Sequence, residues 1–153
     1  MDPYTFQIVL LIILIILSGF FSASETALMA LSRIRVRHMV DEEIKGAKLL
    51  EKLLEDPNKL LGGILIGNNI VNIGASSLAS TLAFRIFGDG GVALATGVMT
   101  ILVLIFGEIT PKSLAKQNAE KVSLAVAPII NIVVTVFKPL VWLFSSVSSL
   151  IVR

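Results

Sequence analysis

The stretch of sequence that decides the fold lies close to the N-terminus, where residues 4–31 read YTFQIVLLIILIILSGFFSASETALMAL. Residues 8–17 are all apolar, and a helix of about 20 mainly apolar residues crosses the hydrocarbon core of a bilayer. Ser18, Ser22 and Glu25 then follow without ending the apolar pattern. The stretch therefore predicts a membrane-spanning helix that carries polar groups on part of its surface.

The composition of the whole chain agrees with a membrane protein. The 153 residues are 55% hydrophobic and 16% charged, with a mean hydropathy of +0.89. A soluble domain has about 25% charged residues, so this chain has too few to cover a soluble globule. It has no Cys and a single His, His38, which excludes disulfides and thiolate metal sites. A bound metal would need oxygen ligands, or His38, and oxygen favours hard cations.

Three apolar tracts predict membrane spans near residues 4–31, 60–84 and 92–112. The residues alone leave the fourth tract, 122–152, open between a further span and two broken helices at the interface. Pro139 favours a break, because proline removes one hydrogen bond from the helix interior.

A shorter segment, residues 41–56, has a different pattern. Its acidic residues come first and its lysines follow, an order that suits the helix dipole. Apolar residues recur there near helical spacing. The segment therefore predicts one amphipathic helix at the cytoplasmic interface.

The basic residues predict the orientation in the membrane. Seven of the thirteen Lys and Arg residues lie between Arg33 and Lys59, and a second cluster comprises Lys112, Lys116 and Lys121. Both clusters come directly after apolar runs, so the excess of positive charge in cytoplasmic loops explains them better than nucleic-acid binding does. We therefore expect a multi-pass protein with its basic loops in the cytoplasm and its N-terminus outside.

Polar residues on the first span form a stripe. Ser18 and Ser22 are one helical turn apart, and Glu25 extends the same face. Serine in a membrane helix also bonds its own backbone or permits close helix packing, so these hydroxyl groups have a structural interpretation too.

The second span contains three carboxamides, Asn68, Asn69 and Asn72, and no charged residue. A buried amide is costly unless it is hydrogen bonded. The pattern indicates either a polar clamp between helices or a polar cavity.

Glu108 is the acidic residue of the third span, and an ionisable residue at membrane depth indicates a functional site. Pro111 follows it and lacks an N–H group, so we expect it to break the helix there and to free the carbonyl oxygen of Gly107. Together with the hydroxyl groups and carboxamides, these atoms form an all-oxygen set that suits Mg²⁺ or Ca²⁺.

Three motifs carry a family resemblance: SGFFSASETAL at 18–28, LIGNNIVN at 65–72 and FGEITPK at 106–112. In this order they resemble the membrane domain of the CNNM/CorC family, also called DUF21, which is associated with magnesium and cobalt efflux. The resemblance covers nearly all of residues 1–153. It implies an all-α integral membrane protein with three transmembrane helices and a belt of juxtamembrane or re-entrant helices. That belt favours broken helices, interrupted at Pro139, over 122–152.

The resemblance also implies a site for a dehydrated Mg²⁺ ion. Its ligands would come from Ser18 and Ser22, from Asn68 or Asn69, and from the turn formed by Gly107 and Glu108. Asn72 and Glu25 are expected to line the same polar cavity.

The family further implies export of Mg²⁺ coupled to Na⁺ in the inner cell membrane, as a homodimer surrounded by lipid. CBS domains and a C-terminal domain would follow in the cytoplasm and are expected to lie outside this chain. A passive Mg²⁺ channel and a non-transporting module for dimerisation or sensing are the alternatives.

With no nucleophile–base pair and no cofactor motif, we do not expect an enzyme.

Overall fold

The structure, a computed structural model, describes residues 2–152, and these are helical with short connections. The α-helices are α1 (Pro3–Ala30), α2 (Arg33–Asp41), α3 (Ala47–Leu54), α4 (Pro57–Phe87), α5 (Asp89–Leu102), α6 (Thr110–Gln117) and α7 (Ala119–Ile151). Residues Val103–Ile109, between α5 and α6, form a π-helical turn.

Within residues 2–152, four helical segments are long and apolar enough to cross a membrane. They are α1, α4, the segment Asp89–Gln117 and α7. The segment Asp89–Gln117 is continuous, so the expected break at Pro111 is wrong. The first three cover the tracts in which the sequence predicts spans. The family resemblance implies three spans, whereas the described part of the chain offers four helices of sufficient length.

Helix α7 runs unbroken from Ala119 to Ile151 with Pro128 and Pro139 inside it. The prediction of two broken helices over 122–152 is therefore wrong. In an apolar environment a broken helix exposes backbone groups that find no other partner, so a single missing hydrogen bond costs less than a break. Packing against α4 also supports the helix on both sides of Pro139.

Helix α7 packs closely on α4 at two adjacent glycines. A Cβ atom on Gly62 would lie 2.9 Å from Val141 Cγ1, and one on Gly63 would lie 3.1 Å from Val134 Cα. These valines lie before and after Pro139 in the sequence. Small residues allow such close contact between apolar helices, where dispersion forces replace the hydrophobic effect.

The predicted amphipathic helix over 41–56 is wrong in extent, because only α3 is helical there. A turn separates α3 from α2, and in it Glu43 and Gly46 adopt φ values of 56° and 89°. Positive φ ends a helix, and glycine adopts it without steric cost. The amphipathic character itself is present, because the apolar residues of α3 that are buried lie on one side: Ala47, Leu50, Leu53 and Leu54.

The chain divides into two compact units. The first contains the residues up to Ala23 together with Asn68–Leu114, and its core residues are Ala75, Ala79 and Met99. The second contains Ser24–Gly67 together with the residues from Ala115 onward. Its buried residues include Val36 and Met39 of α2, Leu50 of α3, and Ala127 and Ile130 of α7.

An ion pair joins α2 to α7 within the second unit. Arg35 donates from Nε to Glu120 Oε1 at 2.6 Å and from Nη2 to Glu120 Oε2 at 3.2 Å. Glu120 raises the pKa of Arg35 above its ordinary value, mainly through the hydrogen bond. The Ser32 hydroxyl group caps α2 by accepting from the Arg35 N–H at 3.1 Å, so the α1–α2 turn positions this arginine.

Replacing Gly63 with leucine tests the contact between α4 and α7. We expect Gly63→Leu to destabilise the protein by about 1–3 kcal/mol, because the new side chain overlaps the Val134 backbone. Gly97→Leu is the matched control, because a Cβ atom there meets nothing within 4 Å. Thermal unfolding in detergent, followed by fluorescence of Trp142 on α7, measures both. Equal unfolding temperatures for the two variants would contradict the close contact.

Candidate ion-binding site

Two buried serines on α1 form one side of the candidate site. Ser18 is 1% exposed and Ser22 is 0% exposed. They lie one helical turn apart and share a face of α1. Their burial within an apolar helix places two hydroxyl groups where water has little access.

Helix α4 supplies carboxamides to the same place. Ser18 Oγ donates to Asn68 Oδ1 at 3.4 Å, and Asn72 Nδ2 donates to the same oxygen at 3.4 Å. Both distances exceed the usual lengths, which are about 2.7–2.8 Å for O–H···O and about 2.9–3.0 Å for N–H···O hydrogen bonds. The Asn68 oxygen is therefore loosely held, and it can accept a shorter and stronger partner.

The π-helical turn forms the third side. Within it the Thr110 N–H donates to the carbonyl oxygen of Ile105. The next donor in this pattern would be residue 111, a proline without an N–H group, so the Phe106 carbonyl has no π-helical donor. In an α-helix the proline at 111 would leave the Gly107 carbonyl without its donor, as the sequence predicts. In the π-helical turn the carbonyl that lacks this donor is that of Phe106. π-Helical turns within α-helices occur frequently at functional sites.

Helix α1 approaches this turn closely. A Cβ atom on Gly107 would lie 2.7 Å from Ser18 Oγ, and one on Gly19 would lie 2.9 Å from the Phe106 oxygen. Two glycines therefore allow the Ser18 hydroxyl group and the Phe106 carbonyl to lie at the same close contact. Sequence reasoning missed Gly19, although its position beside Ser18 in an apolar run was the available signal.

Two oxygen atoms of this region lack partners. Ser22 Oγ and Asn72 Oδ1 are buried and have no hydrogen-bond partner among the described residues. An unsatisfied buried polar group costs about 1–3 kcal/mol, so native structures usually satisfy such atoms. A hard cation satisfies oxygen atoms directly, because it binds their lone pairs.

The Glu108 carboxylate lies at the end of the π-helical turn and pairs with a lysine. Its side chain is 28% exposed, and Oε2 lies 3.2 Å from Lys112 Nζ. A partly exposed pair of this kind contributes little to stability. The carboxylate can therefore leave the lysine at small cost when a stronger cation is present.

The structure brings together Ser18, Asn68, Asn72 and Gly107, with Ser22 on the same face as Ser18. Asn69 is exposed on α4. Glu25 belongs to the second compact unit, and so does Pro139. Among the described residues, no group of three or more His, Cys, Asp or Glu side chains could hold a metal. Neutral oxygen atoms would therefore have to supply most ligands of a cation here.

Comparison with known proteins covers nearly the whole chain. The family model for the cyclin M transmembrane N-terminal domain matches residues 9–153. A UPF0053 protein of Haemophilus influenzae is 47% identical over 143 residues, which are 94% of this chain and 34% of that protein. The UPF0053 inner membrane protein YfjD of Escherichia coli is 43% identical over 137 residues, which are 90% of this chain and 32% of that protein.

A chloroplastic DUF21 domain-containing protein of Arabidopsis thaliana is also similar, at 42% identity over 76% of this chain and 18% of that protein. The chain thus spans about a third or less of the length of these curated relatives. The resemblance inferred from three sequence motifs is confirmed by the match over residues 9–153. The chain belongs to the CNNM family, as its cyclin M transmembrane N-terminal domain, also known as DUF21.

Proposed function

We propose that this chain is the membrane domain of a Mg²⁺ transporter and that it exports the ion in exchange for Na⁺. The observation that carries the proposal is the pair of buried, unpartnered oxygen atoms on Ser22 and Asn72. They accompany the loosely bonded Asn68 oxygen and the Phe106 carbonyl, which has no π-helical donor because residue 111 is proline. The transported ion would be held by Ser18, Ser22, Asn68, Gly107 and Glu108, with Asn69 as the alternative asparagine. Asn72 and the Phe106 carbonyl would line the same polar cavity.

The chemistry of the donor atoms supports Mg²⁺ over softer metals. All candidate ligands are oxygen atoms, and Mg²⁺ prefers six oxygen ligands at about 2.0–2.1 Å. Hydroxyl and amide oxygens with one carboxylate bind a divalent ion less tightly than several carboxylates would. A transporter needs this compromise, because it has to release the ion that it binds.

Export of a divalent cation from a negatively charged interior requires an energy source. Moving two positive charges outward against 100 mV costs about 4.6 kcal/mol, at about 2.3 kcal/mol for each charge. Entry of Na⁺ down its own gradient would supply this energy. A passive channel, the nearest alternative, would conduct Mg²⁺ inward under the same membrane potential.

The pairing of Glu108 with Lys112 suggests how release is assisted. The Lys112 ammonium group and Mg²⁺ compete for the same carboxylate, and they repel each other at close range. Binding of the ion would displace the lysine, and return of the lysine to Glu108 would favour release. The pair thereby keeps a carboxylate neutralised at membrane depth while the ion is absent.

The remaining assignments rest on family membership. We propose a homodimer in the inner membrane, with the N-terminus outside and with both basic clusters in the cytoplasm. CBS domains would follow in the longer protein. The other alternative is a dimerisation or sensing module without transport. One observation favours it, because Asn68 accepts hydrogen bonds from both Ser18 and Asn72, as expected of a polar clamp between helices.

Substitution of Ser22 separates ion binding from clamping. We expect Ser22→Ala to weaken Mg²⁺ binding at least about tenfold, because an oxygen interacting with a charged group contributes about 1.5–3 kcal/mol. Without Mg²⁺ the unfolding temperature should not fall, because Ser22 Oγ has no partner to lose. Calorimetry with Mg²⁺ and thermal unfolding without it measure the two effects.

Ser149→Ala is the matched control, because that exposed hydroxyl group bonds only its own helix, at Ser146 O. It should leave Mg²⁺ binding unchanged. If Ser22→Ala lowers stability but leaves Mg²⁺ binding intact, the clamp explains the site and the ligand role is wrong.

Flux through proteoliposomes tests the mechanism of transport. We expect Mg²⁺ to move against its own gradient when a Na⁺ gradient is imposed in the opposite direction. Collapse of the Na⁺ gradient should stop this movement. The Glu108→Ala variant should insert normally into the membrane but should not transport Mg²⁺. Mg²⁺ flux that ignores Na⁺ and only follows the Mg²⁺ gradient would establish the channel instead.

Substitution of Lys112 tests the competition for Glu108. We expect Lys112→Gln to tighten Mg²⁺ binding severalfold and to slow Mg²⁺ release, because removing the ammonium group removes both the competitor and the repulsion. Lys45→Gln, an exposed lysine in the α2–α3 turn, is the control with the same change in charge. Binding isotherms and stopped-flow release with a chelator measure both. Equal affinities in the two variants would refute the competition.

A further inference from the structure

We propose that a basic cavity in the second compact unit binds the phosphate headgroup of an acidic phospholipid. The cavity has a volume of about 530 Å³ and lies where the α1–α2 turn meets the α6–α7 junction. Its polar lining includes Ser32, Arg35, Lys116, Gln117, Glu120 and Lys121. The proposal is independent of the transport of Mg²⁺.

The charge in the cavity is positive once its ion pair is taken into account. Arg35 holds both carboxylate oxygens of Glu120, at 2.6 and 3.2 Å, so the two charges cancel. Lys116 and Lys121 are exposed, and within the described part of the chain neither has a carboxylate within 4.0 Å. Two ammonium groups therefore remain for an anion, and together they can contact different oxygen atoms of one phosphate group.

The position of the cavity favours a lipid over a dissolved phosphate. Three apolar helical segments have an end in its lining: α1 ends at Ala30, Asp89–Gln117 ends at Gln117, and α7 begins at Ala119. The ends of membrane-spanning helices lie at the depth of the lipid headgroups. Basic pockets between membrane helices at this depth bind anionic headgroups.

Exposed apolar side chains flank the cavity in the sequence and could contact acyl chains. Ile34 precedes Arg35 on α2 and is 84% exposed, and Met29 lies in the last turn of α1 and is also exposed. An apolar residue exposed beside a cationic cavity is unfavourable in water and favourable against a lipid tail. The ligand that satisfies both features is an amphiphile with an anionic head.

Lipid titration of the purified chain tests the proposal. Native mass spectrometry in detergent would compare phosphatidylglycerol with phosphatidylcholine of identical acyl chains. We expect phosphatidylglycerol to bind about tenfold more tightly or better, because each lysine near an anionic headgroup adds to the attraction. Raising the salt concentration should reduce this preference, because both lysines are exposed to solvent.

Substitutions then identify the residues that cause the preference for phosphatidylglycerol. The double substitution Lys116→Gln and Lys121→Gln should remove it, whereas Lys116→Arg with Lys121→Arg should keep it, because the charges remain. Lys45→Gln with Lys48→Gln is the control, since it removes the same charge from exposed lysines elsewhere in the second unit. If the double glutamine variant keeps the preference, or if the two lipids bind equally, the proposal is wrong.

A competition experiment distinguishes binding of a lipid headgroup from binding of free phosphate. Inorganic phosphate, added at the same concentration as the lipid, should not displace phosphatidylglycerol, because it lacks the acyl chains. Displacement at equal concentration would overturn the lipid assignment. Circular dichroism of each variant checks that the helices are retained, so that a loss of binding can be assigned to the lysines.

Discussion

The direct contact between α1 and the π-helical turn at Val103–Ile109 is the constraint on which the rest of the candidate site depends. Gly19 and Gly107 leave no room for a Cβ atom at this contact. The Ser18 hydroxyl group and the Phe106 carbonyl therefore come close to the partner helix and cannot turn to water. In a hydrocarbon environment such groups need partners within the protein, and the Ser18 hydroxyl group finds one in the Asn68 side chain.

This arrangement explains why the site contains so few charges. A cluster of carboxylates at membrane depth would be expensive to insert. For the proposed transport of Mg²⁺, such a cluster would also bind the ion too tightly to release it. Hydroxyl groups, amides and a backbone carbonyl cost less free energy to bury than carboxylates do, and each supplies a lone pair. The single carboxylate, Glu108, is neutralised by Lys112 in this structure. The chemistry of the site therefore depends on packing geometry more than on net charge.

The second compact unit has a different physical character. Its helices α2 and α3 are short, and the ion pair between Arg35 and Glu120 holds α2 to α7. Exposed cationic side chains surround that pair, so this part of the chain carries the charge that the apolar helices lack. Its long helix, α7, illustrates the influence of surroundings on proline. Contacts of α4 with Val134 and Val141 support the helix on both sides of Pro139.

The sequence by itself determined the class of protein and the positions of the long helices, because too few charges and long apolar tracts leave only membrane-spanning helices as a solution. It also identified the polar residues, since such groups stand out in apolar tracts. Tertiary structure decided the rest. The continuity of α7 and the π-helical turn depend on neighbouring helices, which a local pattern does not contain. The different surroundings of the two adjacent asparagines have the same cause. Asn68 and Asn69 point about 100° apart around α4, and only the rotation of α4 against α1 places Asn68 on Ser18 and leaves Asn69 exposed.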